Sequence, residues 1–114
     1  VNPAQAIGKI RHADESGAIS PGELDGLPAL ILSQEIEGTS YRTYLYFQDG
    51  ALKELLTEAS REVTPEQGTA IVSLAGFSIE KTEDGFYSVR AEDANGEVLS
   101  AYIRPRTEVA NNNA

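Results

Sequence analysis

The side chains that could do chemistry in this chain are few. His12 is the only histidine, which excludes any metal site that needs two imidazoles. Two acidic pairs, Glu35/Glu37 and Glu83/Asp84, could act as glycosidase carboxylates only if the fold set one pair across a cleft at roughly 5–10 Å with one pKa raised. Hairpin turns normally carry such charges, so we interpret both pairs as exposed turn residues.

Other signatures of chemistry are equally weak. Residues 92–97 (EDANGE) are rich in oxygen ligands, but they lack the twelve-residue spacing and the closing bidentate glutamate of a calcium loop, and a hairpin explains them better. The chain contains no glycine-rich phosphate loop, nucleophile elbow or zinc signature, and it has no cysteine. The sequence therefore predicts a protein that is not an enzyme and that holds no cofactor or metal.

Aromatic residues supply the one functional hint. Six of them could form a stacking platform for a sugar or a base, although we expect most to lie in the core or in cross-strand pairs: Tyr41, Tyr44, Tyr46, Phe86, Tyr87 and Tyr102. An exposed subset, Tyr44 and Tyr46 beside Arg42, would form an interaction patch. We predict this patch as the candidate site.

Length and charge limit the partners. The 114 residues suffice for one domain with its own core, and 18 acidic against 9 basic residues give a net charge of -9. A phosphate backbone or an anionic lipid surface would repel such a chain, so nucleic acid is disfavoured as a partner. The N-terminus has neither a signal peptide pattern nor a spanning segment.

Three acid-or-amide plus glycine pairs lie between runs rich in β-branched and aromatic residues: Asp49-Gly50, Asp84-Gly85 and Asn95-Gly96. Such pairs tolerate the positive φ angles of a two-residue type I′ turn, which joins adjacent antiparallel strands. The chain is therefore expected to fold as a β-meander.

The elements around these turns follow from periodicity. Ala6, Ile7 and Ile10 predict a helix face within Pro3–His12, and glycines and prolines predict a loop over Ala13–Leu27 with a short strand at Ala18–Ser20. Polar Thr57–Thr69 is expected to be an exposed loop in which Thr64 caps a short turn at Pro65. The other predicted strands are Ala29–Gln34, Ser40–Gln48, Ala51–Leu56, Gly76–Lys81, Phe86–Glu92 and Glu97–Arg104.

These elements predict an α+β fold in which an N-terminal helix packs on a single antiparallel β-meander sheet. Both faces of Ser40–Gln48 are substantially apolar, so this strand is expected to be central and covered on each side. We place one domain at residues 1–106 and a disordered tail at residues 107–114, where the chain offers no apolar anchor.

Three segments carry a family resemblance: residues 9–14 at the end of a helix, Tyr44–Leu55, and Leu74–Ile79. Their order resembles the soluble part of type IV pilin-like proteins, nearest to minor pseudopilins, and also uncharacterised Firmicutes proteins with one N-terminal anchor. The resemblance implies a non-enzymatic, extracytoplasmic subunit that is tethered by an upstream hydrophobic helix and packs with itself or with pilin-like partners. It implies no catalytic residues. The prepilin cleavage site and apolar helix of that family would lie upstream of Val1.

A second function stays open at this point. The face that carries Arg42, Tyr44 and Tyr46 could instead bind a peptide, a sugar or a cation, together with nearby carboxylates. A concave aromatic pocket would favour this alternative, whereas a flat and covered sheet face would disfavour it.

Overall fold

The computed structural model describes residues 3–16 and 18–103. The predicted tail at residues 107–114 lies outside these described residues. The described elements follow one another in this order: helix α1 (Pro3–Ser16), strands β1 (Ala18–Leu24), β2 (Leu27–Ile36), β3 (Thr39–Gln48) and β4 (Ala51–Glu58), a 3₁₀ turn (Pro65–Gln67), and strands β5 (Thr69–Ser73), β6 (Gly76–Lys81), β7 (Tyr87–Glu92) and β8 (Val98–Ile103).

The strands form two antiparallel sheets. The larger sheet has the order β1-β2-β3-β4-β5 and the smaller one has the order β6-β7-β8, so strands that follow one another along the chain pair within each sheet, whereas β5 and β6 do not pair. The predicted antiparallel pairing of strands is confirmed, but not in one sheet. Strand β3 lies at the centre of the larger sheet, as its apolar character on both faces predicts.

The predicted fold class, α+β with a helix on one sheet, is wrong. Eight strands and one helix of 14 residues make a small β-rich fold with two sheets. The split occurs at Leu74 and Ala75, where the Leu74 amide donates to Gly50 O at 3.0 Å and the Ala75 amide donates to Glu92 O at 2.7 Å. The backbone thus leaves one sheet and joins the other within two residues. The local composition does not indicate this change of sheet.

Two-residue turns join the first four strands. Asp49 and Gly50 both have positive φ angles, 56° and 77°, which confirms the type I′ geometry predicted for this pair. The pairs Asp25-Gly26 and Glu37-Gly38 have the same geometry, with φ angles of 53° and 88°, and 52° and 83°.

The last two hairpins turn differently from the prediction. Of each pair only the glycine, Gly85 or Gly96, has a positive φ angle, and Asp84 and Asn95 do not. In the first of these hairpins the Gly85 amide donates to Thr82 O at 3.3 Å and the Thr82 amide donates to Phe86 O at 2.8 Å. This is a three-residue loop, a type I turn followed by a left-handed glycine. The sequence located both reversals correctly but gave the wrong turn type.

The sequence prediction shortens one strand and omits another. Strand β1 extends to Leu24 although Pro21 and Gly22 lie inside it, and strand β5 was assigned to no element. A proline is tolerated in β1 because this strand lies at a sheet edge, where one side of the backbone needs no partner. Composition alone cannot distinguish such an edge strand from a loop.

The main core lies between the two sheets, and α1 closes it. The helix contributes Ala6, Ile7 and Ile10, the face predicted from sequence. The larger sheet contributes Ile19, Leu30, Leu32, Leu45, Leu52 and Val72. The smaller sheet contributes Val89, Ala91, Ala101 and Ile103, and Leu74 lies in the connection between the two sheets. Burial of these side chains is the main force that holds the two sheets together.

Candidate functional site

The predicted patch lies on one face of β3, opposite the main core. Arg42, Tyr44 and Tyr46 share this face because side chains alternate along a strand. The structure exposes Arg42 but leaves only 8% of Tyr44 and 0% of Tyr46 accessible. The expected exposure of the two rings is therefore wrong, and they provide no open aromatic platform.

The segment at residues 59–68, which we call the cover segment, buries these tyrosines. It follows β4, and its Val63 packs on a second apolar cluster that contains Leu24, Ala29, Tyr44 and Tyr46. Pro65 is buried at the N-terminus of the 3₁₀ turn, and the Thr64 amide donates to Oε1 of Gln67 at 2.8 Å. The sequence predicted a turn here, and this is confirmed, but it did not predict which surface the segment would cover.

Tyr46 joins β3 to the cover segment. Its hydroxyl donates to the carbonyl oxygen of Pro65 at 2.6 Å, and a Cβ atom at Gly68 would lie 2.1 Å from the same hydroxyl. Burial raises the pKa of Tyr46, while hydrogen bonding to the Gly68 backbone lowers it in part and the charge of Glu66 raises it. The phenol therefore stays protonated at neutral pH and acts as a structural clamp.

A polar chain supports the same junction from its rim. Nζ of Lys53 donates to Oε1 of Gln48 at 2.8 Å, and Nε2 of Gln48 donates to Oε2 of Glu66 at 3.4 Å. Lys53 also lies 3.8 Å from Oδ2 of Asp49. A hydrogen bond from its own backbone amide lowers the pKa of Glu66. This carboxylate is therefore ionised at neutral pH and can accept the hydrogen bond from Gln48.

Three of the four residues of the acidic pairs lie in turns, and the fourth, Glu35, lies near the end of β2 and is exposed like Glu37. The Glu83/Asp84 pair is exposed, and a hydrogen bond from the Thr82 hydroxyl lowers the pKa of Asp84. A general acid needs the opposite shift. Both residues border an open depression of ≈ 600 Å³ with Thr82, Phe86 and Tyr102.

Asp93 explains the segment that is rich in oxygen ligands. Its Oδ1 accepts from the backbone amides of Asn95 and Glu97, both at 2.9 Å, so this carboxylate stabilises the β7–β8 turn. Within residues 3–16 and 18–103, no three His, Asp or Glu side chains are grouped as metal ligands. His12 is exposed on α1.

A different surface stands out, at the outer end of the β2–β3 hairpin. Residues 33–40 are all exposed, and β1 ceases to pair with β2 beyond Ser33. We call residues 33–40 the arm. Ile36 on this arm is 51% exposed, and Leu56 on the neighbouring β4 is 62% exposed. Large apolar side chains at such exposure mark a surface that is worth testing for a partner.

Strand register places these residues in one line. Ile36 is opposite Thr39, and Leu56 is opposite Thr43, so the half-buried Tyr41 lies diagonally between them on β3. Diagonal neighbours on one sheet face are within reach of large side chains. We call Ile36, Tyr41 and Leu56 the apolar stripe. It continues the core-facing side of the larger sheet beyond the part that the smaller sheet covers.

No local pattern in the sequence identifies this stripe. Its residues are one per strand, and only the register brings them together, so neither a local motif nor periodicity could reveal it. Tyr41 was noted among the aromatic residues, but we expected it in the core or in a cross-strand pair. The position of Ile36 between the acidic residues Glu35 and Glu37 is the one local signal of its exposure.

No helix in the described part of the chain has the length and apolarity needed to cross a membrane. Comparison with curated proteins and with solved structures gives no match. A family model, a domain of unknown function (DUF4860), matches residues 5–103. This match covers most of α1 and all eight strands described above, and the chain therefore belongs to the DUF4860 family.

Proposed function

We propose that this domain is a non-enzymatic protein-interaction subunit, pilin-like or pseudopilin-like, which an upstream hydrophobic helix holds outside the cytoplasm. The observation that carries the proposal is the apolar stripe of Ile36, Tyr41 and Leu56. Ile36 and Leu56 are more than half exposed, whereas most of the large aliphatic side chains in the described strands are buried or partly buried.

The stripe suits a protein partner better than a small ligand. Tyr41 borders two open depressions, one of ≈ 380 Å³ with Ser33 and Arg42 and one of ≈ 460 Å³ with Leu55 and Arg61, and most of their lining belongs to the opposite sheet face. Small-molecule sites instead bury most of the ligand in a concave pocket. A broad apolar surface with a polar rim is the usual composition of a protein contact.

Charge supports the same choice of partner. The net charge of -9 disfavours nucleic acid and direct attachment to anionic lipid. In a tethered subunit the attachment comes from the upstream helix, and the domain itself needs no basic surface. The helix α1, which buries one face against the two sheets, would then connect the domain to that anchor.

The alternative ligand-binding function on the face of Arg42, Tyr44 and Tyr46 has less support. The cover segment occupies the space above both rings, and the hydroxyl of Tyr46 is already bonded to Pro65. A ligand would have to displace this segment before it could reach either ring.

The anchor is tested by reading the coding sequence immediately upstream of Val1. We expect about 20 consecutive apolar residues, the length that crosses a bilayer. An N-terminal region without such a stretch would contradict the tethered subunit. Protease treatment of intact cells that express the full-length product provides a second measurement, since an extracytoplasmic domain is degraded without lysis.

The stripe is tested separately by photo-crosslinking. A photoreactive residue at Leu56 of the full-length product should cross-link to a membrane-associated protein or to another copy, and the same residue at Ser33 should cross-link much less. Ser33 is a matched control because it is also exposed but lies on the opposite sheet face. A photoreactive residue at Ile36 should also cross-link, and Leu56→Asp should abolish that cross-linking. Equal cross-linking from both faces would refute a role for the stripe.

A further inference from the structure

We infer that two copies of this chain pair through the free edge of β8, which joins their smaller sheets into one continuous six-stranded sheet. The inference rests on the proposed function as a subunit, and it specifies one contact between two copies. The surface is distinct from the apolar stripe, so the two can be tested independently.

Among the strands of residues 18–103, β8 is an unusually unprotected edge. It is the last strand of its sheet, and its six residues, VLSAYI, include no charge, proline or glycine. Proteins normally protect exposed edges with charges, prolines or bulges, because an open edge recruits another strand. The other edge strands follow that rule, since β1 contains Pro21, β6 contains Glu80 and Lys81, and β5 pairs through a bulge.

The backbone groups of β8 point the right way for such pairing. The amide of Asp93 donates to Glu97 O at 3.0 Å, which makes this a hydrogen-bonded pair at the turn. Hydrogen-bonded and non-bonded pairs alternate along an antiparallel ladder. With Glu92 opposite Val98, the N–H and C=O groups of Val98, Ser100 and Tyr102 therefore point away from β7.

The exposed side chains of β8 are self-complementary. Val98 is 36% and Tyr102 is 67% exposed, and Ser100 lies midway between them on the same face. If a two-fold axis passes through Ser100, Ser100 lies opposite Ser100 of the other copy. Val98 of each copy then lies opposite Tyr102 of the other, which gives two further pairs. Each of these three pairs can exchange both backbone hydrogen bonds. Cross-strand pairs of an aromatic with a β-branched residue are favourable.

No like charges meet in this arrangement. Within the described sheet, the charged residue nearest the axis on the outer face is Arg90, which is opposite Ser100 and one strand away from the edge. Helix α1 packs with Ala101 and Ile103 on the core side and leaves Val98 and Tyr102 exposed. Because the two copies carry a net charge of -9 each, added salt should strengthen the contact by screening.

Cysteine cross-linking gives a direct test, since the chain has no cysteine of its own. Opposed Cα atoms of a hydrogen-bonded pair are about 5.5 Å apart, which is within the range that a disulfide spans. We expect Ser100→Cys to form a disulfide-linked dimer readily under mild oxidation. Ser78→Cys is the matched control, because Ser78 is exposed on the same outer face but lies on β6.

Sedimentation equilibrium of the unmodified chain provides the second measurement. We expect a monomer–dimer equilibrium that Tyr102→Lys weakens by about tenfold, through loss of two cross-strand contacts, and that Ser78→Lys leaves unchanged. A chain that stays monomeric at every concentration would overturn the inference, and so would equal cross-linking of the two cysteine variants. Slow amide exchange of Val98, Ser100 and Tyr102 in a monomer would show that another segment covers the edge, which also overturns it. Any of these results would leave the cross-linking test of the stripe unaffected.

Discussion

The hydroxyl of Tyr46 lies 2.6 Å from the carbonyl oxygen of Pro65, and this hydrogen bond ties the central strand to a loop 19 positions later in the chain. The ring of Tyr46 is completely buried, and so is much of the apolar cluster around it. The bond thereby fixes the cover segment over the outer face of the larger sheet. It decides that this face is a second core and not a binding surface.

Removal of the hydroxyl should weaken this junction. We expect Tyr46→Phe to lower the free energy of unfolding by about 1–2 kcal/mol, the usual cost of a lost buried hydrogen bond. The amide of Gly68, at 3.4 Å, still donates to Pro65 O and limits the loss. Urea denaturation measures the change. Tyr41→Phe, at a half-exposed position, should change stability by less than about 0.5 kcal/mol, and an equal loss in both variants would contradict the clamp.

Gly68 is required because of the space that it leaves for Tyr46. A Cβ atom at this position would lie 2.1 Å from the tyrosine hydroxyl and 3.3 Å from Glu54 O. We expect Gly68→Ala to cost about 1–3 kcal/mol through overpacking. In a Tyr46→Phe background the same change should cost less, because the closest atom is gone, and a double-mutant cycle by urea denaturation measures this coupling. Strict additivity of the two changes would show that they act independently.

At Gly8, in contrast to Gly68, an added side chain should stabilise the protein. Gly8 lies inside α1, and a Cβ atom there would meet nothing within 4 Å. We expect Gly8→Ala to raise the free energy of unfolding by about 0.5–1 kcal/mol, since alanine restricts the unfolded chain and favours helix. Thermal unfolding followed by circular dichroism checks this. A destabilised variant would mean that another surface packs closely against this side of α1.

Alkaline pH should separate the wild type from Tyr46→Phe. Burial raises the pKa of Tyr46 above its ordinary value of 10.0. Between that value and the raised one, the unfolded chain binds fewer protons than the folded chain, so the stability contributed by this group falls as pH rises. It is fully present below pH 10. We expect the stability difference between the two proteins to shrink above about pH 10 in urea titrations. A constant difference up to pH 11 would contradict the burial of an ionisable phenol.

Much of the chain could be predicted because its signals are local. Asp49-Gly50 specifies a tight reversal through the φ angles that only certain residues tolerate, and the alternation along β7 and β8 specifies which side chains face the core. The apolar face of α1 follows from the spacing of Ala6, Ile7 and Ile10 in the same way. Each of these patterns depends on residues that are close in the chain.

The amino-acid sequence by itself thus determined the meander, its reversals and the core-facing side chains. The tertiary structure alone decided that the strands divide into two sheets at Leu74, that the cover segment buries Tyr44 and Tyr46, and that Ile36, Tyr41 and Leu56 line up across three strands. The reason is physical. Turn geometry and strand alternation are set by neighbouring residues, whereas the choice of which apolar face is covered, and by which segment, is a competition among contacts between distant parts of the chain.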